Sequence, residues 1–124
     1  MQPLTRVPSL AAHRDFRQVY HGGRHVATPL FVLYARPNGL THNRLGLSVS
    51  KKTGNAVLRN RIRRLAKESL RLRQPALRSG FDLVIVARRA VGQLPQRGAF
   101  AQVNDTLGRL LARLDLLLPA PVSP

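Results

Sequence analysis

Between Ala56 and Arg73, apolar positions recur with the period of a helix. At about 100° per residue, Leu58, Ile62, Leu65, Ala66, Ser69 and Leu72 fall on one side. Arg59, Arg63, Arg64, Lys67 and Arg71 fall on the other side, around Asn60. The pattern predicts a helix over 56–73 with one buried face and a row of cations along its length of about 27 Å. Asn55 is placed to cap it, accepting a hydrogen bond from a free first-turn N–H. Gly54 frees the chain to turn into the cap. Lys51 and Lys52 stand just ahead of the helix N-terminus, where free N–H groups and the positive end of the dipole favour a phosphate.

Elsewhere the patterns are shorter. Ser9 reads as the N-cap of a helix reaching about Tyr20, with Ala12, Phe16, Val19 and Tyr20 at helical spacing, stopped by Gly22 and Gly23. A strand is expected over 30–35, then a PNGLTHN turn and a second strand in RLGLSVS, the two forming a hairpin. After the basic helix and a turn at Gly80, DLVIVAR is an apolar run of the kind covered on both faces. A last helix sets Phe100, Val103, Leu107, Leu110, Leu114 and Leu117 at steps of three and four. The expected fold is a small two-layer α+β sandwich, in the order α-β-β-α-β-α. A single domain over 1–118 is expected, with a disordered Pro-rich tail at 119–124. If the basic helix joins parallel neighbouring strands, the ordinary crossover is right-handed.

Charge sharpens this picture. Twenty-one Lys and Arg face 5 Asp and Glu, a net +16, at which self-repulsion opposes compaction unless a polyanion neutralises it. Nucleic acid is the expected partner, and a membrane surface the weaker alternative. A helical face that is merely solvated interleaves Glu with Lys and Arg; here Glu68 is the one acid, placed to pair with Arg64 one turn away. With no cysteine there is no disulfide, thiolate metal site or thiol nucleophile. His21 and His25 are four apart but separated by Gly22 and Gly23, so no metal site is expected at the histidines. Runs such as FVLYA and LVIVA are far shorter than the roughly 20 residues of a membrane span, and no signal peptide is visible at the start. A cytoplasmic protein is expected.

The string KKTGNAVLRNRIRR, residues 51–64, resembles the signature of the bacterial ribonuclease P protein subunit, the small basic partner of a catalytic RNA that trims precursor transfer RNA. DFRQVYHGG, FVLYA, RLGLSVS and FDLVIVARRA resemble the same family in order and spacing, so that the likeness spans about residues 9–115. It implies a left-handed β-α-β crossover, against the default. It also implies that Lys51, Lys52, Asn55, Arg59, Asn60, Arg61, Arg63, Arg64 and Lys67 dock on the catalytic RNA, and Arg71 extends that row on the helical wheel. A second surface, a cleft between the first helix and the sheet, is implied to hold the single-stranded 5′ leader of the precursor, with Phe16, Tyr20, Val32 and Tyr34 as its lining. Tyr20 and Leu70 depart from the residues many members carry there.

On the residues alone, Phe16 and Tyr20 at i and i+4 on a helix are more often core than stacking platform; with the resemblance, a partly exposed cleft is expected. Arg61, near the apolar edge of the wheel, is placed either to meet RNA or to brace Glu68 or the sheet. A nuclease using two metals wants converging carboxylates, whereas Asp15, Glu68, Asp82, Asp105 and Asp115 are scattered. No histidine has an obvious orienting acid. No catalytic residue is therefore assigned to the protein. The resemblance implies magnesium held mainly by the RNA subunit, with that RNA and precursor tRNA as partners and no protein partner. Two rivals remain at this point: an RNA-binding module with no enzyme attached, and a self-sufficient nuclease.

Overall fold

The computed structural model describes residues 7–10 and 12–119. Helix α1 (His13–Gly22) leads into strands β1 (Arg24–Ala27), β2 (Phe31–Pro37) and β3 (Arg44–Ser48). Helix α2 (Ala56–Arg73), strand β4 (Phe81–Ala87) and helix α3 (Ala99–Arg113) follow. Short 3-10 turns occupy Lys51–Thr53, Gln74–Ala76 and Arg89–Gln93. The α+β order expected from the sequence holds, with β1 added between α1 and the first expected strand. The proposed tail falls almost wholly on residues outside those described.

The four strands form one sheet in the order β1-β2-β4-β3. β4 is antiparallel to β2 and parallel to β3, with Leu83 opposite Ala35 on one side and Leu45 on the other. The expected hairpin of β2 and β3 is therefore absent, because β4 lies between them. The reason is burial: Leu83, Ile85 and Ala87 belong to one core and Val84 to another. A strand apolar on both faces gains most at the sheet centre. The PNGLTHN segment spans the two strand spacings, about 9.5 Å, that β4 fills. It is pinned there by Asn38 Nδ2 donating to Asp82 Oδ1 (3.0 Å) and Asn43 Nδ2 donating to the Arg78 carbonyl (2.8 Å). The real hairpin joins β1 to β2; RHVA is too short and polar to announce itself as a strand.

Alternation along the strands separates two cores. Phe31, Leu33, Ala35, Leu45, Leu83 and Ile85 pack with Ile62, Ala66 and Leu70 of α2 and with Val103, Leu107, Leu110 and Leu111 of α3. On the opposite face Leu10, Val19 and Val84 form a smaller cluster, with Phe16, Tyr34 and Val86 packed against it. Ser9 is not a helix cap: it is extended and bridged to Leu45, with Leu45 N–H donating to the Pro8 carbonyl (2.7 Å). Ala12 is itself extended, and α1 starts at His13. At the other end α3 stops at Arg113, and Leu117 lies beyond it in a bridge with Leu77.

Helix α2 has the predicted bounds, but its buried stripe is turned by roughly 50°, half a residue step. Ile62, Ala66, Ser69 and Leu70 are buried, Leu58 and Leu65 only partly, and Leu72 is 45% exposed. A polar seam with α3 accompanies the turn. Ser69 Oγ donates to Asn104 Oδ1 (2.7 Å), and Arg73 Nη1 donates to Ser69 Oγ (2.8 Å) and to Asn104. Burial pulls the Arg73 guanidinium below its ordinary pKa. Gly108 leaves room for that side chain, since a Cβ there would lie 2.5 Å from Arg73 Nη2.

Two outcomes follow from this packing. Leu70→Ala should cost about 2–5 kcal/mol in denaturant unfolding, whereas Leu72→Ala should stay within about 0.5 kcal/mol; a larger loss for Leu72→Ala than for Leu70→Ala would place the buried stripe where the sequence alone put it. The second concerns Asp82, which accepts from Arg44 Nε (2.8 Å), Arg44 Nη2 (2.7 Å) and Asn38. Burial alone would raise its carboxyl, but the Arg44 and Asn38 hydrogen bonds outweigh it and hold the pKa below the usual range. A depressed folded-state pKa gives stability that is present above the unfolded value, about 3.9, and is lost as pH falls through the folded one. Asp82→Asn should therefore remove part of the acid-side loss of unfolding free energy seen below about pH 4. An unchanged acid limb would contradict the pairing.

Candidate nucleic-acid interface

The first candidate surface is the outward side of α2. Asn55 caps it as expected, its side chain accepting from the Leu58 N–H at 2.9 Å. Lys51 and Lys52 are exposed on the 3-10 turn ahead of the cap. That turn is held from behind, where buried Thr53 packs so closely on Gly92 that a Cβ at Gly92 would overlap the Thr53 carbonyl oxygen. Asn60, Arg64 and Lys67 are exposed along the helix.

Because the stripe is turned, Arg59 and Arg63 shoulder the buried side and are half-buried. Arg63 donates to Asn60 Oδ1 (3.3 Å) and, at the limit of a hydrogen bond, to the Val49 carbonyl (3.5 Å). The Nε atoms of Arg59 and Arg61 are buried with no hydrogen-bond partner. Arg61 therefore braces neither Glu68 nor a strand. Glu68 does not pair with Arg64 either. It takes two hydrogen bonds from Arg71, at 2.6 and 3.0 Å, which hold its carboxyl below the usual range. Arg71 thus differs from the rest of the row, since its charge is already matched.

Acids offset little else here. Among the described residues the ion pairs are Arg44–Asp82, Arg71–Glu68, Arg78–Asp115 and Arg109–Asp105. Arg59, Arg61, Arg63, Arg64 and Lys67 have no acidic partner among them. The described residues contain no cluster of three or more His, Cys, Asp or Glu able to hold a metal ion. No helix among the described residues is long and apolar enough to cross a membrane.

The second surface lies on the other face of the sheet, where alternation brings Val32 and Tyr34 to the side occupied by α1. Phe16, Val32 and Tyr34 are half-buried and Tyr20 is 36% exposed. The Phe16 and Tyr20 ring centroids are 6.5 Å apart, and Tyr20 meets Tyr34 edge-on at 4.9 Å. Phe16 can lie this low because β3 offers Gly46 beneath it, where a Cβ would stand 2.6 Å from the ring. Phe16 and Tyr34 pack on Leu10, Val19 and Val84, and Phe16 and Tyr20 line an open cleft; Val32 and Tyr34, expected in the same lining, stand outside it, Tyr34 reaching it only through its edge contact with Tyr20.

The cleft, of about 340 Å³, is lined by His13, Phe16, Tyr20, Leu47 and Ser48. Sequence reasoning missed His13, Leu47 and Ser48. It also missed His25, whose ring stacks on Tyr34 at 5.2 Å. His25 faces Tyr34 across the β1–β2 ladder, so recognising β1 would have found it. Ser48 in the cleft and Lys51 on the cationic side are three residues apart, at most about 11 Å of chain. The end of β3 therefore joins two surfaces on opposite faces of the sheet.

Comparison with known proteins agrees with this geometry. The family model described as Ribonuclease P matches residues 4–115. The chain is 40% identical over 111 residues to the ribonuclease P protein component of Caldanaerobacter subterraneus subsp. tengcongensis, covering 90% of this chain and 92% of that one. It is 49% identical over 102 residues to the corresponding protein of Thermoanaerobacter sp. (strain X514), covering 82% and 84%. Among solved structures, the RNase P protein of Staphylococcus aureus superposes with a TM-score of 0.80 at 31% identity, covering 90% of this chain and 98% of the other. That of Thermotoga maritima gives 0.78 at 32% identity, covering 85% and 96%. With the family model spanning nearly the whole described chain and the same fold in its relatives, this protein belongs to the ribonuclease P protein family.

Proposed function

We propose that this chain is the RNA-binding subunit of a ribonucleoprotein endoribonuclease, ribonuclease P, acting in the cytoplasm on precursor tRNA. The observation that carries the reading is the cation row of α2, where exposed Arg64 and Lys67 and half-buried Arg59, Arg61 and Arg63 stand without acidic partners among the described residues beside the exposed Lys51 and Lys52. Membership in the family supplies the enzyme: the relatives are protein components of ribonuclease P.

In this reading α2, Lys51, Lys52 and Asn55 hold the backbone of the catalytic RNA. The cleft of Phe16, Tyr20, Val32 and Tyr34 receives the single-stranded 5′ leader, whose bases stack on the rings. Water cleaves one phosphodiester bond, leaving a 5′ phosphate on the tRNA and a 3′ hydroxyl on the leader. Magnesium is assigned to the RNA. The protein contributes binding and relief of phosphate repulsion, in keeping with its scattered acids and cation excess.

Reconstitution tests the whole reading: at low magnesium, adding the protein to its catalytic RNA and a leader-bearing precursor should accelerate cleavage at the mature 5′ end. No acceleration over RNA alone would leave an RNA-binding module without the enzyme. Cleavage by the protein without RNA would instead support the nuclease rival.

Two variants separate the surfaces. Arg64→Ala with Lys67→Ala, both exposed, should weaken binding to the catalytic RNA with an unchanged melting temperature. The slope of log affinity against log salt should become shallower by roughly 0.7–0.9 for each phosphate that is no longer neutralised; an unaltered slope would remove these cations from the interface. Tyr20→Ala should lower affinity for leader-bearing precursor by about 1–3 kcal/mol, the contribution of one stacked base, and leave mature tRNA binding unchanged. Equal loss for both RNAs would take the leader out of the cleft.

A further inference from the structure

A cleft of about 520 Å³ lies between α2 and the first turn of α3, and neither surface described above accounts for it. Its size is within the roughly 300–1,000 Å³ of small-molecule sites. One wall carries Arg61 and Arg64, while Leu65 and Phe100 supply apolar surface and exposed Ala101 stands at the mouth. A flat apolar surface beside two guanidinium groups suits one chemical shape, an aromatic base attached to a phosphate.

Three further observations bear on the occupant. Arg61 Nε is buried without a partner, and an unsatisfied buried donor is costly unless an incoming acceptor meets it. Glu68 also lines the cleft, but both of its oxygens are engaged by Arg71, so it leaves the charges of Arg61 and Arg64 uncompensated. Arg64 lines in addition a smaller groove on the other flank, with Lys67 and Arg71. A phosphate backbone following those cations passes the cleft mouth. The space is too small for a duplex, and RNA-binding proteins read splayed-out bases by stacking them on aromatic rings and Arg planes.

We propose that this cleft receives one unpaired nucleotide extruded from the RNA docked on α2, with its base against Phe100 and its phosphate on Arg61 and Arg64. The proposal rests on the reading of α2 as an RNA-binding face. It adds a site that distinguishes one nucleotide from its neighbours, where the outer row of cations treats every phosphate alike.

Ala101→Trp fills the mouth from an exposed helical position, and Phe100→Leu removes the ring while keeping apolar bulk, so that either variant serves if the other fails to fold. Binding of the full-length protein to the catalytic RNA should weaken about tenfold in each, within the contribution of one stacked base, with the salt slope unchanged. In parallel, 2′-hydroxyl acylation of the RNA should show one unpaired nucleotide protected by the wild-type protein and exposed again with the variants. Affinities within about twofold of wild type and an unaltered acylation pattern would overturn the proposal while α2 kept its steep salt dependence. A wild-type complex insensitive to salt would overturn the α2 reading first and the cleft with it.

Discussion

Burial of β4 on both faces is the constraint from which the rest of the molecule follows. Leu83 and Ile85 need the core under α2 and α3, while Val84 needs the one under α1. Only a central strand satisfies both. Placing it there separates β2 from β3 and makes β3 and β4 parallel neighbours. Parallel neighbours cannot be joined by a tight turn, and α2 is the long connection between them. A helix in that position has one side for the sheet and one for solvent, and its solvent side is where the cations collect.

The electrostatics follow the same division. The few acids are used largely where structure needs them: Asp82 ties Arg44 and Asn38 across the β2–β3 connection, and Asp115 and Asp105 pair with Arg78 and Arg109. Glu68 is the exception on α2, and its pairing with Arg71 fixes the end of the uncompensated row. What remains is a cationic flank that folding leaves unmatched. Such a surface raises the cost of the free protein and favours association with a polyanion, with affinity that falls steeply as salt rises.

Position within the sheet also explains why one small domain presents two different surfaces. The α1 face lacks a thick helical cover, so Phe16 packs on the small core and still lines an open cleft, with Tyr20 beside it. Gly46 is decisive, because any side chain at that point of β3 would lift Phe16 away from the sheet. From there the chain reaches Lys51 within a few residues, which sets the aromatic cleft a short stretch of backbone away from the cationic helix.

The sequence by itself determined what depends on neighbours along the chain. The bounds of α2, its Asn55 cap, the polarity of its two sides, the apolar run of β4 and the signature at 51–64 are all local patterns, and local geometry realises them. Tertiary structure decided what depends on competition between distant segments. β2 and β3 had a turn and matching strands, yet β4 displaced the hairpin because two-sided burial outweighs a local pairing. The half-step rotation of α2, which buries Leu70 and exposes Leu72, was set by the Ser69–Asn104–Arg73 seam with α3, a partner some thirty residues away. The same rotation carried Arg59 and Arg63 onto the shoulder of the buried side. A helical wheel places side chains about an axis, but the direction in which that axis faces the core is fixed only by what packs against it.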